Sequence, residues 1–135
     1  MQKPECWSTE TDGKTSYAFL IELDDNVPSY QANSKQSSHH RYKTDKLVTF
    51  QELVTLTVSQ LAKTFGKCFP FTDDIQLDIY ITPKNRKHGD RVNMIKGIED
   101  ALQGVLFVND RQIKSGEVVI EDPDEPRLLI IISDN

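Results

Sequence analysis

Apolar side chains fall at every second position from Tyr17 to Leu23 (Tyr17, Phe19, Ile21, Leu23), the period of a strand with one buried face. A second alternation, Ile75, Leu77, Ile79 and Ile81 against Gln76, Asp78 and Tyr80, predicts another such strand, ended by Pro83. Between them the period changes. Phe50, Leu53, Val54, Val58, Leu61 and Phe65 recur at helical spacing behind a capping box made by Thr49 and Glu52, and Gly66 closes the run. This stripe is core packing. A second helix is predicted to open at Asp90, just after Gly89, with Met94, Ile98, Ala101 and Val105 on its apolar side. Val118 to Ile120 and Leu128 to Ile132 read as two last strands around the turn Asp122-Pro123-Asp124-Glu125-Pro126. The unbroken apolar run Leu128 to Ile132 predicts burial on both faces, as in a central strand or one covered by a dimer partner. The order is β-α-β-α-β-β. It predicts one α/β (α+β) domain over 17–135, a small mixed four-stranded sheet with two packed helices.

Two stretches lack periodicity. Residues 1–16 are polar, with Pro4 and Gly13, and read as a flexible N-terminal arm, ordered only if Trp7 finds a pocket. A polar loop from Tyr30 to Lys46 is long for a compact domain, and loops of that length usually carry function or disorder.

The chain has 135 residues, enough for one domain with a real core, and a net charge of −5. That balance argues against a generic nucleic-acid binder, but the charge is segregated. Lys35, His39, His40, Arg41, Lys43 and Lys46 form one basic cluster, and Lys84, Arg86, Lys87, His88, Arg91 and Lys96 form another. Acids dominate from Glu117 to Asp134. Cys6 and Cys68 have no metal-ligand spacing and read as free thiols. His39 and His40 are adjacent, so a strand would point them to opposite faces, and they read as loop residues rather than a metal pair. No apolar run approaches the roughly 20 residues of a membrane span, and no signal-peptide core opens the chain, so a cytoplasmic protein is expected. Phosphate-cradling glycine motifs and nucleophile signatures are absent.

The richest stretch is GDRVNMIKGIEDALQGVLFVND, residues 89 to 110. Asp90, Asn93 and Lys96 follow one another at one-turn spacing from a predicted helix start, where the free N–H groups and the dipole favour negative charge. A second carboxylate, Asp110, follows the helix beyond Phe107. Two such carboxylates suit an oxygen-only site for a divalent cation. Gly89, Asp90, Asn93, Lys96, Asp100, Ala101 and Leu102 match the pattern GDxDNxxKxxxDAL, and Phe107, Asp110, Gln112 and Ile113 match (W/F)xxDxQ(V/I). In these two blocks the chain resembles the RusA family of Holliday-junction resolvases, with the likeness spanning roughly residues 17 to 133.

The resemblance implies a Mg²⁺-dependent endodeoxyribonuclease (Mn²⁺ possible in its place) that resolves branched DNA in recombination and repair as a homodimer. It implies Asp90 and Asp110 as metal ligands, with Asn93 and Lys96 completing the catalytic set. Lys84, Arg86, Lys87, His88, Arg91, Lys43 and Arg41 would then contact DNA. One family aspartate is missing, because its position is Val92. On a wheel of about 100° per residue, Lys96, Glu99 and Gln103 lie within about 40° of Val92, so Val92 sits in the middle of the polar face. Glu99 is about 10 Å further along the axis and poorly placed to replace a ligand beside Asp90. The departure leaves open a second reading, a resolvase-like domain that binds DNA or protein without efficient cleavage.

Overall fold

The computed structural model describes residues 3–30, 34–36 and 41–135, with side chains at 34–36 and 41–43 outside the description. The strands are β1 (Glu5–Thr11), β2 (Lys14–Glu22), β3 (Ser34–Gln36), β4 (Arg41–Lys43), β5 (Ile75–Thr82), β6 (Ile113–Ser115), β7 (Val118–Ile120) and β8 (Arg127–Asp134). The helices are α1 (Asp45–Ala62) and α2 (Arg91–Leu102). The class is mixed α+β, as expected, but the main sheet has six strands rather than four, in the order β1-β2-β8-β5-β6 with β7 also on β5. Strands β3 and β4 pair separately.

Strand β8 is central and antiparallel to both neighbours. Register builds three apolar rows across the sheet: Tyr17, Ile132 and Leu77; Phe19, Ile130 and Ile79; Ile21, Leu128 and Ile81. Every member except Tyr17 is buried, and the helices close over this face. Leu129 and Ile131 point to the other face and are half-buried. The unbroken apolar run therefore marks a central strand.

The stretch read from sequence as an arm contains β1, which pairs with β2 from Glu5↔Leu20 to Thr11↔Lys14. Backbone pairing makes most of this strand, with Cys6 packed against the core; every other position is exposed, so no alternation betrays it. The stretch read as a loop from Tyr30 to Lys46 contains β3 and β4, and the other unexpected strand of the main sheet, β6, is three residues long and pairs parallel with the start of β5. Between β6 and β7, Gly116 takes φ +131°, and a Cβ there would stand 1.9 Å from the Leu77 carbonyl oxygen. Only glycine lets the chain pass β5 this closely.

Helix α1 begins five residues before the expected capping box. The Thr44 side-chain oxygen accepts from Leu47 N–H at 3.4 Å, and Leu47 extends the buried stripe of Phe50, Gln51, Val54, Val58 and Ala62. Leu53, expected in that stripe, is 44% exposed. Two side-chain-to-backbone bonds tie α1 to α2: Gln51 Nε2 donates to Gly97 O at 2.9 Å, and Thr55 Oγ1 to Ala101 O at 2.8 Å. No helix among the described residues is long and apolar enough to cross a membrane.

The contrast within α1 can be measured. Leu47→Ala should cost about 2–5 kcal/mol in urea denaturation, as for a fully buried leucine, whereas Leu53→Ala should cost under about 1 kcal/mol. Equal losses would contradict the helix start and face described here.

Candidate active site

Helix α2 starts where the sequence places it, because Asp90 caps it. The Asp90 backbone is extended (φ −76°, ψ 163°) and its Oδ1 accepts from Asn93 N–H at 3.0 Å. The Asn93 side chain adds donors from Nδ2 to both carboxylate oxygens, each at 3.1 Å. These bonds use three of the roughly four lone-pair directions of a carboxylate, leaving one on Oδ2. Asn93 thus orients Asp90 rather than standing beside it as a separate ligand.

The approach to α2 is braced from two directions. Asn26 Oδ1 accepts from Lys84 N–H at 2.7 Å, and Asn26 Nδ2 donates to Asn85 Oδ1 at 2.9 Å, which pins the basic loop 84–88. Asn85 Oδ1 also accepts from Lys87 N–H at 2.9 Å. A groove lined by Asn26, Ser29, Lys46, Lys87, His88 and Gly89 runs beside this loop. Lys84, Arg86, Lys87 and Arg91 are exposed and His88 is half-buried, so the second basic cluster is presented at the entry to α2. Arg86 faces Asp122 at 3.8 Å with both side chains well exposed, an ion pair of little energetic weight. Of the first cluster, the side chains of Arg41 and Lys43, together with His39 and His40, lie outside the described residues.

The segment at the start of the long loop docks on the same helix. A Cβ on Gly89 would stand 2.8 Å from Ser29 Cβ, Tyr30 N–H donates to Asn93 O at 3.0 Å, and Lys96 Nζ sits 4.6 Å from the centre of the Tyr30 ring. No spacing in the sequence announces Asn26 or Tyr30; both act through chain segments folded in from a distance.

Asp110 stands exposed on a 3₁₀ turn, Asp110–Gln112. The matched residues around it are scaffolding. Phe107 is fully buried, and Gln112 Oε1 accepts from Val108 and Asn109 N–H at 2.8 Å each. Gln112 Nε2 donates to the carbonyls of Phe71 and Asp73, both at 2.8 Å. Ile113 then enters β6 opposite Ile75. Together they hold the turn that displays Asp110.

Burial first, and then the charges of Asp110 and Asp100, push the Glu99 carboxyl above its ordinary 4.5. Asp110 therefore lies within electrostatic reach of Glu99 on α2. Among the described residues no group of three or more His, Cys, Asp or Glu side chains is placed to hold a metal ion. Val92 is 74% exposed, so no packing demands an apolar residue there.

The family model for the endodeoxyribonuclease RusA matches residues 25–133. The chain belongs to the RusA family. No curated protein matches it significantly. The matched region contains α1, α2, the Asp110 turn and the central strands β5 and β8, whereas β1 and β2 precede it.

The strained Glu99 carboxyl gives a pH test. An acid raised in the folded state favours folding below its unfolded value, and that contribution is lost as pH rises through the folded value. Glu99→Gln should therefore be more stable than the parent at pH 7, with the gap closing below about pH 4. A variant less stable than the parent at pH 7 in urea denaturation would show that the charge is stabilising.

Proposed function

We propose that this RusA-family protein is a divalent-metal-dependent endodeoxyribonuclease that cuts four-way DNA junctions as a homodimer. The family match over residues 25–133 carries the reading. The local support is an exposed Asp90 oriented by Asn93, with Lys96 two turns along the same helix and basic side chains at its entrance.

The donors present suit Mg²⁺ or Mn²⁺ in kind, being carboxylate oxygens on exposed turns, and such ions are held by one or two carboxylates plus substrate phosphates. Asp90 and Asp110 would hold the ion, Asp110 coming from the same protomer or its partner. Bound there, it would polarise a phosphate and acidify a water. The chain's own residues do the rest. Asn93 fixes the Asp90 carboxylate, Lys96 offsets charge on the scissile phosphate, and Lys84, Arg86, Lys87, His88 and Arg91 draw in the backbone, with Arg41 and Lys43 expected to assist. A four-way junction offers two equivalent strands, which a twofold dimer would nick symmetrically.

The decisive experiment is incubation of the protein with a labelled synthetic four-way junction, with and without Mg²⁺ or Mn²⁺. Metal-dependent paired nicks support the reading; none, at saturating protein, overturns it. Asp90→Asn should cut at least about 100-fold more slowly while binding the junction as well as the parent, because asparagine still caps a helix. Equal cutting would remove Asp90 from the chemistry.

Val92 favours a second reading, a junction-binding domain with weak cleavage, since an exposed valine stands where the family has an aspartate. Val92→Asp should raise metal-dependent cleavage and change stability by no more than about 0.5 kcal/mol, as expected at an exposed position. A mutant that binds junctions yet cuts no faster than the parent would favour the binding domain.

A further inference from the structure

The segment Pro28–Tyr30 makes three contacts with Gly89 and the first turns of α2, although Ser29 and Tyr30 themselves lie outside the matched motifs. Ser29 occupies the space beside Gly89 that a Cβ would need, at 2.8 Å. Tyr30 donates its backbone N–H to Asn93 O at 3.0 Å, on the residue that orients Asp90. The Tyr30 ring lies 4.6 Å from Lys96 Nζ. The backbone bond fixes where Tyr30 stands relative to the first turn, and the ring then offers its negative face to an ammonium on the next turn. Lys96 is exposed and carries a flexible four-carbon stem, so without a partner its charge would spread over many rotamers.

We propose that Tyr30 is a positioning residue for Lys96, holding the ammonium in place for a DNA phosphate through its ring rather than its hydroxyl. This rests on the nuclease reading above for its consequence, though not for its geometry. The arrangement does not depend on the DNA sequence, because the cation, not the ring, meets the phosphate. Tyr30 also begins the long loop that carries the first basic cluster, so docking of this segment ties the entry of that loop to the site. Phenylalanine at 30 preserves the interaction; an aliphatic residue does not.

Two measurements on the full chain separate the geometry from the chemistry. Reductive methylation with ¹³C-formaldehyde gives each lysine a dimethyl signal, assigned for Lys96 by its loss in Lys96→Arg. That signal should be shifted upfield by the ring in the parent and in Tyr30→Phe, and should move to the ordinary lysine position in Tyr30→Leu. In single-turnover cleavage of a labelled four-way junction, Tyr30→Leu should cut about tenfold more slowly with junction affinity unchanged, and Tyr30→Phe should match the parent. An unshifted Lys96 signal in the parent overturns the proposal, as does parental cutting by Tyr30→Leu. Equal slowing of the Phe and Leu variants overturns it too, since the hydroxyl would then be the working group. A shifted Lys96 signal in a parent that cuts no junction supports the hold of Tyr30 on Lys96 and sinks the nuclease reading instead.

Discussion

Strand β8 is hydrogen-bonded to β2 on one side and β5 on the other, and both helices depend on that register. Each apolar row takes one residue from each of the three strands, so a slip of one position would turn a whole set of buried side chains to the opposite face. The rows give α1 and α2 a continuous surface to cover. The two bonds between the helices, from Gln51 and Thr55 to the backbone of α2, then fix where along that surface α2 lies. The position of Asp90 follows from this chain of constraints, since it is the first capped residue of a helix held at both flanks.

The site uses its residues twice. Asp90 closes the first turn of α2 and is the carboxylate proposed to hold a cation; Asn93 is both a helical residue and the donor that aims Asp90. A capping carboxylate is favoured by the free N–H groups of the helix start, so the same dipole that stabilises the fold keeps negative charge where a cation would dock. Gln112 performs a parallel service for Asp110, closing a short turn with four hydrogen bonds so that one acidic side chain stands clear of it. Family motifs of this kind mix chemistry with the scaffold that presents it.

Val92 and Glu99 make the polar face of α2 unlike a simple three-carboxylate centre. Val92 contributes no ligand and meets no core, while Glu99 is half-buried and carries the repulsion of Asp110 and Asp100. Negative charge on this face is crowded toward the far end of the helix rather than its start. Protonation of Glu99 would relieve that crowding.

Much of this was legible in the residue order. Alternation located β2 and β5, an unbroken apolar run located β8, helical period located α1 and α2, and fixed offsets from Gly89 to Ile113 gave the family and its candidate residues, because these signals depend only on neighbours within a few positions. The start of α1 at Thr44 escaped notice, since Thr49 and Glu52 form a plausible cap and only the burial of Leu47 against the folded core decides between them. Strands β1 and β6 escaped for a related reason: they are ordered by backbone pairing to β2 and β5, and pairing leaves no mark on an exposed or three-residue sequence. Asn26, Ser29 and Tyr30 act on the site across more than fifty residues of chain. Their roles exist only once the sheet has brought the segment after β2 against the first turns of α2, where a backbone bond and a ring face become neighbours of a cap and a lysine.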